Sequence, residues 1–125
     1  MTSGEHHIKD TERDNVWSVM RIMSDFVKGF DELKDIGPSV TFFGSARFDE
    51  NSLYYKQAHE LAKSLADSGY NVISGGSGGI MEAANKGAFQ SGQAESIGLN
   101  IDLEHEQGSN AFTTKELNFD YFFAR

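Results

Sequence analysis

Residues 72–88 read Val-Ile-Ser-Gly-Gly-Ser-Gly-Gly-Ile-Met-Glu-Ala-Ala-Asn-Lys-Gly-Ala, and this stretch decides the fold of the chain. It begins as a short apolar strand, passes through a turn with four glycines at residues 75–79, and continues as a helix. Glycines at such a turn allow backbone angles that side chains exclude, and the first N–H groups of the helix favour a bound phosphate or carboxylate. We predict that the turn binds a small anion, with a tight connection that binds no ligand as the alternative. The predicted binding residues are Gly75, Gly76, Ser77, Gly78 and Gly79.

Strands and helices alternate on both sides of this turn. Apolar runs predict strands at residues 40–43, 70–73, 95–101 and near 114–117, and helical spacing predicts helices over residues 52–68 and from residue 80 to between residues 87 and 92. This order, with right-handed crossovers, predicts a parallel sheet with helices on its faces. The fold class is therefore α/β, in one domain over residues 15–125.

A second turn of small residues, Gly44 and Ser45, follows the first predicted strand. Because the carboxyl ends of parallel strands lie at one edge of a sheet, we expect this turn and the glycine turn to face one crevice. Ser45 is not a nucleophile of the Gly-x-Ser-x-Gly type, because Arg47 occupies the last position. We interpret Ser45 as a small hydroxyl beside the ligand, and Arg47 either pairs with an anion or lies in solvent.

Two helices have a predicted apolar face. In the N-terminal amphipathic helix over residues 15–35, the apolar residues recur at spacings of three and four. They are Val16, Val19, Met20, Met23, Phe26, Val27, Phe30 and Leu33. We favour packing of this face on the domain, with a contact between subunits as a second interpretation that does not exclude the first. In the helix capped by Asn51 or Ser52, the predicted inner face is Leu53, Tyr54, Ala58, Leu61, Ala62, Leu65 and Ala66.

The two ends of the chain carry weaker signals. Residues 1–14 are polar, and we predict a flexible lead in which His6 and His7 are solvated rather than metal ligands. After the last strand, Asp120 is predicted to cap a new helix that continues to the end of the chain.

Composition excludes several partners. The chain has 125 residues, a formal net charge of −8, a pI near 4.8 and no cysteine. An acidic chain lacks the clustered Lys and Arg that bind nucleic acid or an anionic membrane, so we expect neither partner. The lack of cysteine fits a reducing compartment, and nothing resembles a signal peptide or a membrane span. The expected location is the cytoplasm.

Known nucleotide motifs fit only in part. The glycine turn is not a Walker A loop, because Gly79 is followed by Ile80 and Met81. As a dinucleotide fingerprint starting at Gly76, it has Met81 where the third glycine belongs. Asp102 ends the next predicted strand, as an acidic residue does in nicotinamide and flavin binders, and keeps that class as a weaker alternative.

The segment at residues 102–110 is a predicted polar loop. Its Glu104, His105 and Glu106 either hold a metal or are solvated, and we favour a solvated loop. We therefore predict no metal and no cofactor.

Four blocks together resemble the LONELY GUY family, whose members were once widely labelled possible lysine decarboxylases. The blocks are FFGSAR at residues 42–47, GGSGGIMEAANKGA at 75–88, SIGLNI at 96–101 and YFFAR at 121–125. The resemblance covers about residues 25–125, and the second block is the most specific. Ser77 and Gly78 stand where many members have Gly-Pro. The resemblance implies a Rossmann-like nucleotide-binding domain.

The resemblance also implies an activity, the hydrolysis of the N-glycosidic bond of a nucleoside 5′-monophosphate. The substrate would be AMP or a cytokinin ribotide, and the products a free base and ribose 5-phosphate. Arg125 matches the family's catalytic arginine, and the amides of Gly44, Ser45 and the glycine turn would hold the phosphate end. Glu82 is the candidate carboxylate for the oxocarbenium-like transition state. We place slightly ahead of it the alternative that Glu82 is a first-turn acid favoured by the helix dipole, worth roughly 0.3–1 kcal/mol.

Members of the family carry a second motif, Pro-Gly-Gly-x-Gly-Thr-x-x-Glu, and this chain ends before it. We therefore expect the chain to be the N-terminal portion of the domain. Two function classes follow: a hydrolase of which this sequence is a fragment, or a nucleotide-binding or interaction module without turnover. The family further implies a homodimer or a higher homo-oligomer.

Overall fold

A computed structural model describes residues 3–101, 110–121 and 125, with side chains from residue 15 onward. The elements are α1 (Ser3–Leu33), β1 (Ser39–Phe42), α2 (Leu53–Asp67), β2 (Asn71–Ser74), α3 (Ile80–Ser91), β3 (Ser96–Ile101) and β4 (Lys115–Phe119). The predicted α/β class is confirmed, and each predicted strand is present within one or two residues of its expected bounds. Within the described ranges, none of the helices has the length and apolar character needed to cross a membrane.

The four strands form one parallel sheet in the order β1-β2-β3-β4. Because this order never reverses, right-handed crossovers place α2 and α3 on the same face of the sheet, and α1 lies on the other face. Phe42 at the end of β1 pairs with Ser74 at the end of β2. The turns that follow these two strands therefore start side by side at the carboxyl edge.

Small residues build the face that carries α2 and α3. Its core consists of Ala62, Ala66, Val72, Ala84 and Ala88, all fully buried. At Gly87 a Cβ would overlap the carbonyl oxygen of His59 and would lie 2.8 Å from the backbone nitrogen of Lys63. The backbones of α2 and α3 therefore meet at this glycine.

This close approach corrects the predicted inner face of α2. Leu53, Tyr54 and Leu61 are 55–65% exposed, whereas Tyr55 is buried with Ala62 and Ala66. Large side chains at the contact would hold the two backbones apart, so α2 is rotated until its small residues and Tyr55 face inward. The predicted cap is correct, because the hydroxyl of Ser52 accepts a hydrogen bond from the N–H of Tyr54.

The opposite face has a core of larger residues. Ile97, Leu99, Leu117 and Phe119 are buried there, and Leu33 of α1 packs against them. Most of the predicted stripe of α1 does not reach this core. Six of its residues, Val16, Val19, Met20, Met23, Val27 and Phe30, are 54–73% exposed, and the neighbouring Trp17 is 62% exposed. The predicted packing of this face on the domain therefore holds only for its C-terminal end, where Leu33 contacts the core and Gly29 lies against Phe119. The contact between subunits stays a prediction.

Helix α1 also begins earlier than expected. It starts at Ser3, so the backbone of residues 3–14 is helical where the sequence predicted a flexible lead. Extending an existing helix costs far less than nucleating one, so a long amphipathic segment readily carries a polar extension.

Candidate functional site

The glycine turn between β2 and α3 has a backbone that needs glycine. Gly76 and Gly79 have φ angles of 80° and 68°, in the left-handed region that side chains disfavour. A Cβ on Gly79 would also overlap the carbonyl oxygen of Ser45 and lie 2.6 Å from the Cα of Ala46. Gly79 is thus fixed both by its conformation and by the close approach of the neighbouring turn.

The two small-residue turns touch each other. The N–H of Ile80 donates to the carbonyl oxygen of Ser45 at 3.1 Å, and a Cβ on Gly44 would lie 2.7 Å from the Ile80 side chain. The hydroxyl of Ser45 accepts a hydrogen bond from the N–H of Arg47 at 3.1 Å. The turns share one edge, as expected, and where they meet they pack against each other directly instead of bordering an open crevice.

The N–H groups of the glycine turn divide into two sets. Gly75 donates to the Sδ of Met81 at 3.2 Å, and Gly76 donates to the hydroxyl of Ser74 at 2.9 Å. Among the residues that the structure describes, the N–H groups of Ser77, Gly78 and Gly79 have no hydrogen-bond partner. Three consecutive donors at the start of α3 thus have no partner among the described residues, whereas those of Gly75 and Gly76 are occupied.

Arg125 lies beside this turn. A Cβ on Gly75 would come within 3.2 Å of its Nη1, 2.9 Å of Phe43 and 2.8 Å of the Sδ of Met81. The guanidinium is 5.5 Å from the centre of the Phe43 ring, in a cation–π arrangement. The fold therefore brings together the glycine turn and the arginine that the family resemblance singled out, although they are fifty residues apart in sequence.

Glu82 is turned toward α2. Its Oε2 accepts a hydrogen bond from the hydroxyl of Tyr55 at 3.0 Å. Burial, that hydrogen bond and the charge of Glu82 raise the pKa of Tyr55 to about 12. Glu82 is therefore engaged in the contact between α2 and α3. The sequence missed Tyr55 because the apolar spacing assigned its neighbour Tyr54 to the inner face.

A buried polar network supports the glycine turn from inside. Asn85 is fully buried on α3, where its Oδ1 accepts from the hydroxyl of Ser74 at 2.5 Å and its Nδ2 donates to the hydroxyl of Ser96 at 2.9 Å. Asn110 completes the network, donating to the Oδ1 of Asn85 at 3.0 Å. The sequence patterns did not predict this network. An asparagine among the small residues of α3 was the available signal, because buried polar side chains are usually hydrogen-bonded.

Asp25 holds the segment that leads to Arg125. Its buried carboxylate accepts hydrogen bonds from the N–H groups of Asp120 at 2.8 Å and Tyr121 at 3.0 Å. This residue of α1 thus fixes the direction in which the chain leaves β4. The helix predicted after Asp120 falls mostly on residues 122–124, which lie outside the described residues.

An apolar cavity of about 350 Å³ lies between α1 and the sheet, next to the same arginine. Phe30 and Leu33 line it from α1, Leu99 and Phe119 from the sheet, and Arg125 from the carboxyl edge. The positively charged side chain therefore stands between the glycine turn and an apolar space.

Metal binding has no support in the described part of the chain. There, no group of three or more His, Asp or Glu side chains is placed to hold an ion. The side chains of His6 and His7 and the loop residues Asp102, Glu104, His105 and Glu106 lie outside the described residues.

Comparisons with known proteins fit this architecture. The X-ray structure of TM1055, a structural genomics target, is similar to the chain with a TM-score of 0.50 and 26% sequence identity. The similarity covers 64% of this chain and 45% of TM1055, so the chain spans about half the length of that structure. No curated protein matches the sequence. The sequence model of the SLOG cluster4 family matches residues 38–119, which include every strand and the glycine turn. The chain therefore belongs to the SLOG cluster4 family.

Proposed function

We propose that this chain binds nucleoside 5′-monophosphates at the glycine turn and belongs to a phosphoribohydrolase that releases the base. Membership of the SLOG cluster4 family and the Rossmann-like fold favour a nucleotide-related function. One observation carries the proposal: the N–H groups of Ser77, Gly78 and Gly79 have no partner within the described residues and stand at the start of a helix. Such donors, aided by the helix dipole, suit a phosphate.

The neighbourhood of the turn suits the rest of a nucleotide. Arg125 carries a positive charge beside Gly75 and borders the apolar cavity that Leu99 and Phe119 line. A ribose phosphate held at the turn would put its glycosidic bond near this guanidinium. Arg125 would then stabilise the negative charge that develops on the departing base.

The proposed reaction is a hydrolysis. The bond between C1′ of the ribose and the base nitrogen breaks, the electron pair leaves with the base, and water supplies the hydroxyl at C1′ and the proton that the base requires. The products are a free base and ribose 5-phosphate. The transition state resembles an oxocarbenium ion, which a carboxylate stabilises in glycoside hydrolysis.

A second candidate function is nucleotide binding without turnover. The position of Glu82 favours it, because this carboxylate is hydrogen-bonded to Tyr55 on α2. A carboxylate engaged in that contact is poorly placed to face a sugar at the glycine turn. In this alternative the turn and Arg125 bind the same nucleotide and release no base.

The experiment is a titration of the ¹⁵N-labelled chain with AMP, ribose 5-phosphate and adenosine. We expect AMP and ribose 5-phosphate to shift the amide signals of Ser77, Gly78 and Gly79, and adenosine to bind at least about tenfold more weakly, because charge-assisted hydrogen bonds contribute about 1.5–3 kcal/mol. Absence of these shifts with millimolar AMP would rule out both candidate functions.

A matched pair of variants tests the donors themselves. Gly78→Pro removes one N–H, whereas Gly78→Ala keeps it and adds a Cβ with no atom within 4 Å. Proline stands at this position in many members of the family that the chain resembles, so the fold should accept it. We expect Gly78→Pro to weaken AMP binding about tenfold and Gly78→Ala to leave it within about twofold. AMP binding that is unchanged in Gly78→Pro would mean that the N–H groups of Ser77 and Gly79 bind the phosphate without that of residue 78.

Chromatography of the AMP mixture separates the two functions. Adenine released by the chain and lost in Arg125→Ala would support the hydrolase, with cytokinin ribotides as the next substrates to compare. Binding without adenine would support the module without turnover.

A further inference from the structure

Asn110 contacts the glycine turn through both its backbone N–H and its side-chain amide. Its N–H donates to the carbonyl oxygen of Gly76 at 2.8 Å, and its Nδ2 donates to the carbonyl oxygen of Ser77 at 3.1 Å. The same Nδ2 lies 3.4 Å from the carbonyl oxygen of Gly76. Two successive carbonyls of the turn are therefore directed at one asparagine that arrives from the segment before β4.

The orientation of each peptide plane relates these two carbonyls to the N–H groups that follow them. In a trans peptide the C=O of one residue and the N–H of the next point in opposite directions, and every described peptide bond is trans. The C=O of Gly76 shares its peptide plane with the N–H of Ser77, and the C=O of Ser77 shares its plane with the N–H of Gly78. Because both carbonyls point at Asn110, both N–H groups point away from it.

Asn110 is in turn fixed by the interior. Its Nδ2 donates to the Oδ1 of Asn85 at 3.0 Å, and Asn85 is fully buried and bonded to Ser74 and Ser96 on the two central strands. The Oδ1 of Asn110 accepts the N–H of Phe112 at 3.0 Å, which holds the amide in one orientation. Hydrogen bonds of two asparagine side chains thus connect the turn to the sheet.

We propose that Asn110 is a positioning residue: by holding the carbonyls of Gly76 and Ser77, it directs the N–H groups of Ser77 and Gly78 at the phosphate. The inference rests on the proposed function only for the identity of the anion. An amide is needed at this position because the group must donate toward carbonyl oxygens. A carboxylate of the same size would place oxygen against oxygen and repel the turn.

The test compares Asn110→Asp with Asn118→Asp. Both variants exchange an amide for a carboxylate and change the charge equally, but Asn118 is exposed on β4, with its Oδ1 near Asn100. The probe is ribose 5-phosphate, measured by calorimetry, together with the thermal unfolding midpoint of each chain. We expect Asn110→Asp to weaken binding at least about tenfold while the chain stays folded at the assay temperature, and Asn118→Asp to bind within about twofold of the parent chain.

A second readout needs no ligand. In the free chain, Asn110→Asp should move or broaden the amide signals of Ser77 and Gly78, and leave those of Ile97 and Leu117 in place. If Asn110 only stabilised the fold, the signals of the core residues Ile97 and Leu117 would change together with those of the turn. If Asn110→Asp does not fold, Asn110→Ser, which keeps a shorter donor, serves for the same comparison.

The outcomes are separable from those of the proposed function. If the parent chain fails to bind ribose 5-phosphate, the proposal that the turn binds a phosphate is wrong. The amide signals of the free chain would still show whether Asn110 orients the turn. Unchanged signals of Ser77 and Gly78 in a folded Asn110→Asp chain would overturn the inference. So would ribose 5-phosphate binding equal to that of Asn118→Asp.

Discussion

The two faces of the sheet are covered in different ways. On one face, α2 and α3 approach until their backbones meet at Gly87, over a core made largely of alanines. On the other face, α1 lies over larger residues such as Leu99 and Phe119, leaves a cavity of about 350 Å³, and turns most of its apolar stripe to solvent. The face with the smaller residues is the more tightly packed of the two.

In this chain, the size of the residues at a contact, more than their apolar content, determines how closely a helix packs on the sheet. Protein interiors are close-packed, so backbones that touch leave no room for adjustment. Large side chains along one helix face can instead remain partly unburied. The candidate site lies where the two arrangements meet, because the glycine turn begins α3 and Arg125 borders the cavity beside α1.

The largest expected effect comes from adding one methyl group at the tight face. In Gly87→Ala the new Cβ overlaps the carbonyl oxygen of His59 and lies 2.8 Å from the Lys63 nitrogen, so the two helices must separate. We expect a net loss of about 3 kcal/mol in the free energy of unfolding, measured by urea denaturation, because the overlap with two backbone atoms outweighs the roughly 1 kcal/mol that alanine gains in helix propensity.

Gly29→Ala is the matched control on the open face. Its Cβ would meet the ring of Phe119 at 3.3 Å, and because this ring borders the cavity, a shift of a few tenths of an ångström would relieve the contact. Alanine also gains about 1 kcal/mol of helix propensity over glycine. We expect a net change within about 1 kcal/mol. Equal losses in the two variants would contradict the proposed difference between the faces.

The same difference explains what the sequence predicted. The parallel sheet and the site of the glycine turn follow from local patterns, in which glycines stand between an apolar strand and a helix. The rotation of α2 did not follow, because apolar spacing favours Leu61 on the inside, whereas contact with Gly87 selects small residues. Rules of amphipathic spacing carry no information about which helix pair is close enough to need glycine.

Within the candidate site, the features that depend on contacts between distant segments could not be predicted from the sequence. The structure places Arg125 beside Gly75, fifty residues away in sequence, and no local pattern predicts that contact. The direction of Glu82 depends on the rotation of α3 against α2, and the role of Asn110 depends on a contact across 34 residues with Gly76. Local sequence patterns predict neither feature.

A second prediction tests the polar contact within the tight face. Burial and the hydrogen bond to Glu82 raise the pKa of Tyr55 to about 12, against about 10 in an unfolded chain. Because the folded pKa is the higher one, this stabilisation is complete below pH 10 and is lost as the pH rises through 12. We expect the parent chain to lose about 2–3 kcal/mol more than Tyr55→Phe between pH 9 and 12.

Chemical denaturation at several pH values gives this measurement, and Tyr54→Phe is the control. Tyr54 is 60% exposed, so its removal should leave the alkaline loss of the parent chain unchanged. If Tyr55→Phe loses stability as steeply as the parent chain above pH 10, the hydrogen bond between Tyr55 and Glu82 does not form in solution.

A third prediction concerns the open face. Trp17 and Val27 are 62% and 64% exposed, and serine has nearly the same helix propensity as either residue. We expect Trp17→Ser and Val27→Ser to change the free energy of unfolding of a dilute chain by less than about 0.5 kcal/mol. Leu33→Ala, on the side of α1 that packs on the core, should cost about 2 kcal/mol.

Sedimentation of the same variants tests the predicted contact between subunits. If the stripe of α1 forms that contact, the parent chain self-associates and Trp17→Ser and Val27→Ser weaken the association. A parent chain that sediments as a monomer at high concentration would count against the contact.

The smallest expected effect lies at the exposed rim of the tight face, where Ser91 at the end of α3 donates to Asp67 at the end of α2 at 2.6 Å. This hydrogen bond is the main cause that lowers the pKa of the Asp67 carboxyl, and the ammonium of Lys63, 3.5 Å away, adds to it. A lowered carboxyl pKa stabilises the fold above the pKa of the unfolded chain, and this contribution is lost as the pH falls through the folded pKa. We expect Ser91→Ala to raise the pKa of Asp67 in an NMR titration by more than Lys63→Gln does. A larger rise in the pKa of Asp67 with Lys63→Gln would mean that the charge of Lys63, and not the hydrogen bond from Ser91, is the main cause of the lowered pKa. The close approach of α2 and α3 would then not extend from Gly87 to the helix ends.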